Sequence, residues 1–277
     1  MKKKLKNIAG VTLIEILIGI VISTIMMGAM FTSYNAVNSV FQQVSDKAKI
    51  SQSGRDIVGM LLKDIRLAGF KYFGDNIKTS DEHQPILIRK SANFSQSCDQ
   101  IEIVYGDVDY DKDKAEGKRY TYERYKVVYA CGRSKIIDKK IAGGKTTIDA
   151  FYIVKSKHKW NTATNDWADP NTDGDETTYP KEIIIEHVQD LIFNAINENG
   201  KIINPPPSPS HNKDKIYKIK NVEIALTVRS TQEFFKNSKI RKIFSLGDST
   251  RDISTKDDKY LRDTIIVTAH PRNLGLQ

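Results

Sequence analysis

The chain has 277 residues, enough for one membrane helix plus one large or two small soluble domains. Its formal net charge is +9, but four of its lysines (Lys2, Lys3, Lys4 and Lys6) fall in the first nine residues. The remainder, 39 basic against 34 acidic residues, is spread along the chain and does not demand a nucleic-acid partner. Two cysteines, with no further Cys or His at ligand spacing, do not support a zinc-type centre.

Residues 1–9 read as a short polar leader with four lysines and no acid. From Val11 to Phe31 there is one charge, Glu15, and no proline. At about 1.5 Å per residue this stretch makes a helix of roughly 30 Å, the thickness of a bilayer's hydrocarbon core. The lysine-rich side is expected to stay in the cytoplasm, with the rest of the chain across the membrane. An ordinary secretory signal is cut after its apolar region. Here the small-residue junction, Ala9-Gly10, comes before it, so cutting there leaves the helix on the mature chain. The lone carboxylate of Glu15 inside the span is costly and marks a functional position.

The sequence Lys2-Lys3-Lys4…Gly10 followed by Val11-Thr12-Leu13-Ile14-Glu15 resembles the processing site of type IV pilins and type II secretion pseudopilins. The resemblance implies that a prepilin peptidase cuts after Gly10 and methylates Val11 as the new N-terminus, with Glu15 as the acid of the motif. Val11 departs from the family's usual Phe. An amine at Val11 and a carboxylate four residues on are both stranded in lipid unless neutralised. Between two offset subunits the amine of one can meet the acid of the other, and such pairing favours one register.

Beyond Phe31 the helical spacing continues through Val37, Val40, Phe41, Val44 and Ala48, then Ile57, Leu61, Leu62 and Ile65. This predicts an amphipathic continuation whose apolar stripe packs on a globular head, bent or loosened at Gly54 and ended at Gly69. The domains are therefore a leader at 1–10, a membrane helix at 11–35, a continuation at 36–70 and a β-rich head at 71–277. The run Asp64-Ile65-Arg66-Leu67-Ala68-Gly69-Phe70 is similar to the helix end of PilW-type minor pilins, to which J-type pseudopilins are related. Without the resemblance, Asp64 and Arg66 read as solvated charges in a last helical turn.

From residue 84 the period changes to that of strands. Candidates are 85–88, 101–105, 119–130, 148–154, 182–186, 221–229 and 263–269, while 188–196 reads as either helix or strand. The clean alternation at 222–229 and the closing 265–273 also resemble the PilW-type head. The expected fold is α+β, a long helix against an antiparallel sheet. Polar stretches at 158–180, 201–215 (with Pro205-Pro206-Pro207-Ser208-Pro209) and 231–259 interrupt the head and offer variable surfaces.

Cys98 and Cys131 both fall outside the cytoplasm on this topology, and an even count there suggests one disulfide. Asp169, Asn171, Asp173 and Asp175 alternate around Gly174 like the first half of a calcium loop, but its twelfth position is Pro180. The stretch reads either as a weak Ca2+ site or as a solvated acidic turn. Asp107, Asp109, Asp111 and Asp113 read as a charged loop. Residues 143–147 lack the first glycine of a phosphate loop and read as a hairpin turn. The five histidines show no paired spacing and no serine sits in a nucleophile elbow, so no enzyme is expected. Lys236, Lys239, Arg241 and Lys242 read as a solvated basic face, and no nucleic acid is expected as a partner.

The resemblance implies a minor type IV pilin that initiates or caps a pilus. Two alternatives stay open, a J-type pseudopilin of a secretion machine and an adhesin or DNA-binding module on a pilin stem. The implied partners are other minor and major pilins, the inner-membrane assembly platform and prepilin peptidase. The implied location is the bacterial inner membrane, as a single-pass protein with a periplasmic head, and then a pilus or pseudopilus at the cell surface.

Overall fold

Helix α1 spans Leu13–Leu67 without a break. The structure, a computed structural model, describes residues 10–69, 83–91, 98–137, 147–204, 206–207, 218–243, 246 and 254–274. The leader, the 143–146 turn, His211 and Pro205, Ser208 and Pro209 of the proline-rich stretch lie outside the described residues.

The chain divides into two units, residues 1–48 and 49–277. In the first, the described residues beyond Thr12 are all helical, and α1 is long and apolar enough there to cross a membrane. Its hydroxyls satisfy themselves on the helix: Ser23 donates to the Gly19 carbonyl (2.7 Å), Thr24 to Ile20 (2.6 Å) and Thr32 to Gly28 (3.1 Å). In lipid, where water cannot serve as a partner, that bonding makes polar side chains tolerable.

The second unit joins the end of α1 to an antiparallel sheet. Its strands are β1 Ile86–Arg89, β2 Gln100–Tyr110, β3 Tyr120–Arg133, β4 Phe151–Asn161, β5 Asp166–Trp167, β6 Tyr179–Ile196, β7 Asn221–Glu233 and β10 Tyr260–Ala269. They run in the order β1-β2-β3-β4-β6-β7-β10, with β5 paired to the end of β4. Between β7 and β10 a separate hairpin forms from β8 Lys239–Ile243 and β9 Ser254–Asp258.

The expected plan, a long helix on an antiparallel sheet, is the one found, with several corrections. Val37, Val40, Phe41 and Val44 are 57–70% exposed, and burial on α1 begins only at Ile50. From there the buried positions Ile50, Gly54, Ile57, Val58, Leu61, Asp64 and Ile65 follow helical spacing and meet one face of the sheet. The helix runs through Gly54 without a break. The glycine lets the sheet come close, since a Cβ there would stand 2.6 Å from Ile265 Cδ1. Residues 188–196 are strand, the second half of the 18-residue β6. The polar stretches hold β5, β8, β9 and the last four residues of β4, 158–161.

The helix ends as expected, at Gly69 with φ +74°, a conformation glycine adopts at no steric cost. Its N–H donates to the Val104 carbonyl (2.9 Å). The far end of the chain supplies the cap. Arg272 N–H reaches the Arg66 carbonyl (3.4 Å), and the Asn273 side-chain amide reaches Leu67 and Ala68 (3.4 and 3.5 Å). Orphan carbonyls of the last turn thus find donors some 200 residues away in sequence.

Candidate functional site

At the N-terminal end, Gly10, Val11 and Thr12 precede the helix and are exposed. A Cβ on Gly10 would meet no described atom within 4 Å beyond its chain neighbours. The carboxylate of Glu15 folds back on Thr12, accepting its backbone N–H (2.9 Å) and its hydroxyl (2.8 Å). Thr12 Oγ1 in turn accepts the Glu15 N–H (3.4 Å). This is a capping box, Thr-x-x-Glu at the start of a helix, in which two orphan donors are satisfied reciprocally. The role of Thr12 was readable from that spacing, though the membrane charge of Glu15 draws the eye first. The arrangement aims the acid toward the N-terminal end of its own helix, one residue from Val11.

At the other end of α1, Asp64 is buried. It accepts the Tyr129 hydroxyl (2.6 Å) from β3 and pairs with the Lys155 ammonium (2.8 Å) from β4. This corrects the reading of Asp64 as a solvated charge: it ties the helix to two central strands. Burial pulls the Lys155 pKa down, but hydrogen bonding to Asp64 and its charge outweigh that, and the net direction is up. Burial, then the Asp64 charge and hydrogen bond, push the Tyr129 phenol well above its usual range. Lys155 begins a row on the helix-facing side of β4. Lys157 stands 3.9 Å over the Tyr125 ring, and Lys159 pairs with Glu123 and with Asp175 (3.1 Å).

Asp175 is one of the four calcium-loop candidates, and its partners decide its use. It accepts Lys159, the Tyr125 hydroxyl (3.1 Å) and the Thr177 N–H (2.8 Å). Burial raises its pKa, but donors from Thr177, Lys159 and Tyr125 hold it well below the usual carboxylate range. Asp173 accepts the Thr178 hydroxyl (2.8 Å), and Asp169 accepts the Asn171 N–H and side-chain amide (3.0 and 2.8 Å). The candidates therefore do not converge on a common point. Among the described residues, no group of three or more His, Cys, Asp or Glu is placed to hold a metal. Of the two half-buried carboxylates in the set, Asp175 is taken up by the Lys159 ammonium and Asp173 by the Thr178 hydroxyl. Asp175 thereby fastens its segment onto β3 and β4.

Cys98 and Cys131 form a disulfide, with Cα atoms 6.0 Å apart, linking the residue ahead of Asp99 and β2 to the end of β3. Cys98 also bridges to Leu191 of β6, and the adjacent Asp99, fully buried, accepts the Phe193 N–H (3.0 Å) and pairs with Lys90 (3.2 Å). Of the expected basic face, Arg241 turns back on its own chain, lying 3.9 Å over the Phe235 ring and donating to the Tyr260 carbonyl (2.8 Å). Its hairpin partner β9 carries Asp257 and Asp258, which dilute the charge.

Residues 5–31 match the prokaryotic N-terminal methylation motif. No curated protein matches the chain. Among solved structures it is similar to the type IV-like pilin TTHA1219 from Thermus thermophilus, at 12% identity and a TM-score of 0.44, over 82% of this chain and 98% of that one. The chain thus carries a prokaryotic N-terminal methylation motif at the start of a long apolar helix, and its head is an antiparallel sheet.

Proposed function

We propose that the chain is a minor pilin of the PilW type, a structural subunit that starts or caps a fibre. Insertion leaves the lysine-rich leader in the cytoplasm. Prepilin peptidase cuts the Gly10–Val11 bond and methylates Val11. The subunit then packs its helix laterally among other pilins. Thr12 holds the Glu15 carboxylate at the N-terminal end of the helix, where it meets the amine of a neighbouring subunit and sets the register of the bundle.

The observation that carries this reading is the methylation motif on an uncovered apolar helix. Residues 5–31 hold the signal, and every described residue from Gly10 to Gln42 is exposed, apolar side chains included. Such a surface is stable only in lipid or against other apolar helices. The head, about 200 residues on the sequence boundaries, is larger than the resemblance gives for major subunits.

Intact-mass spectrometry of the native protein, with and without the peptidase gene, tests the pathway. A mature chain beginning at methylated Val11 is expected only when the peptidase is present. An uncut N-terminus beside active peptidase would refute it. Site-specific crosslinking at residue 15 then identifies the neighbour. Capture of pilus subunits supports the minor-pilin assignment, and capture of secretion pseudopilins assigns the chain to that machine instead.

A further inference from the structure

The sheet face turned away from α1 carries a run of aromatic side chains that neither the core nor the assembly role uses. Tyr129 of β3 faces Asp64 on the helix, and side chains alternate along a strand. Val127 and Tyr125 therefore share the helix side, while Lys126, Arg124, Tyr122 and Tyr120 share the other. β3 pairs with β4 only from Tyr125 onward, so the rungs from Gly106↔Arg124 to Tyr110↔Tyr120 form a two-stranded ribbon that outruns the third strand.

Near the tip of this ribbon Tyr110 and Tyr120 pack across the strands, ring centroids 5.1 Å apart, and remain 53% and 57% exposed. Tyr122, one rung back, is 36% exposed. At the root of the ribbon, Trp160 lies against Trp167 (5.2 Å) and His83 (4.2 Å), both edge-on. Arg124 meets His83 Nδ1 (3.0 Å), and Lys126 stands 4.7 Å over the Trp167 ring. From Tyr120 to Lys126 the strip covers roughly 20 Å along the strand. Tyr110 and Tyr120 hold each other, and Trp160 and Trp167 are held by a ring and a cation, so these four have little freedom to lose on binding.

Charge and area narrow the occupant. Of the charges along the paired rungs of β3, only Arg124 and Lys126 stand on this face; Arg124 is taken up by His83, and Lys126 lies over Trp167 within reach of the Glu102 and Asp166 charges, so the strip lacks the broad basic footprint that a nucleic acid selects. An aromatic side chain offers about 150–250 Å² in all, so three tyrosines exposed by 36–57% supply about 300 Å². A stable protein interface needs about 800 Å² on each side. A narrow neutral chain with flat apolar faces and hydrogen-bonding edges matches both limits. Pyranose rings have that form: their C–H faces lie on aromatic rings and their hydroxyls reach flanking polar groups. We propose that the outer face of the β2–β3 ribbon, with the Trp160–Trp167 pair, binds a neutral polysaccharide. The assignment is independent of which fibre the helix joins.

The test uses the full chain in a detergent with no sugar headgroup, titrated with cellohexaose, maltohexaose, chitohexaose and mannohexaose. Tryptophan fluorescence and calorimetry report binding. At least one of these sugars is expected to bind and change the tryptophan signal, and Tyr110→Ala/Tyr120→Ala is expected to lower its affinity at least tenfold with the melting temperature retained. Trp167→Phe, which keeps a ring at the root, is expected to weaken binding less. Failure of all four sugars to bind would overturn the proposal, as would binding indifferent to the tyrosine substitutions. Salt-sensitive binding of oligo-dT in their place would assign the strip to nucleic acid. A concentration-dependent dimer abolished by Tyr110→Ala/Tyr120→Ala would assign it to a second copy of this chain.

Discussion

Replacing Lys155 with methionine tests the idea that a buried ion pair locks the helix to the sheet. The side chains of Lys155 and Asp64 are 15% and 9% exposed, so water gives them little help once they are separated. Removing one partner of a buried pair costs about 3–5 kcal/mol, because the other charge is left uncompensated. Asp64 keeps the Tyr129 hydroxyl, which argues for the low end, about 3 kcal/mol. For a unit of this size that shifts the melting temperature by about 6–12 °C. Thermal unfolding of the full chain in micelles, followed by near-ultraviolet circular dichroism, reads the tyrosines around the pair. Asp64→Leu/Tyr129→Phe/Lys155→Met removes the pair and its phenol donor at once and is expected to recover most of the loss, with only the half-buried Tyr179 hydroxyl losing its Lys155 partner. A Lys155→Met loss within the ~0.5 kcal/mol of an ordinary surface change would refute the reasoning. So would a triple variant no better than the single one. Because the Lys155 pKa is raised in the fold, the lysine's contribution is complete below its unfolded value of about 10.4 and fades only as pH rises through the folded value. Lys155 should therefore add no pH dependence across the neutral range.

Acid acts elsewhere. The depressed Asp175 carboxylate contributes stability that is complete above its unfolded pKa of about 3.9 and lost as pH falls toward the folded value, so hydrogen exchange in residues 162–178 should rise below pH 4 and Asp175→Asn should remove that dependence. Added Ca2+ should leave the melting temperature of the native chain unchanged, and a rise of several degrees would restore the calcium reading. Thr12→Ala removes the helix cap and should cost about 1 kcal/mol of local stability, seen as faster exchange at residues 12–16 in micelles. Cys98→Ser/Cys131→Ser opens a 33-residue separation and should lower head stability by about 3–4 kcal/mol in denaturant unfolding.

The legible parts of this chain are those where one environment dictates every residue. A lipid-facing helix must be apolar all round, so residues 11–31 announce themselves, and the leader and acid around them give the motif. Strands β2, β3, β7 and β10 carry β-branched and aromatic runs because they pair along the sheet and one face is core. β4 reads short in the sequence because its second half holds Lys155, Lys157 and Lys159 at alternate positions, a pattern that belongs to solvent. In the fold those lysines point toward the helix side, over Tyr129 and Tyr125 and onto Asp64, Glu123 and Asp175. Asp64 lies 91 residues upstream of Lys155 and Asp175 lies 16 downstream of Lys159, and no local pattern couples them. The cap of α1 by Arg272 and Asn273 was hidden for the same reason.

Gly54 makes this argument testable at a single atom. By propensity alone, Gly54→Ala in a helix should stabilise by about 1 kcal/mol. In the fold the new methyl would stand 2.6 Å from Ile265 Cδ1 on β10 and 3.8 Å from Val228 Cγ2 on β7. Only the flexible end of the Ile265 side chain stands in the way, so turning it aside offsets the propensity gain and Gly54→Ala is expected to be about neutral. Gly54→Ala/Ile265→Val deletes the clashing methyl and should be more stable than Gly54→Ala by roughly the clash it relieves. A stabilised Gly54→Ala, read by denaturant unfolding, would mean that helix propensity governs residue 54. The glycine would then be no adaptation to the sheet, and the close packing of α1 against β7 and β10 would need another cause.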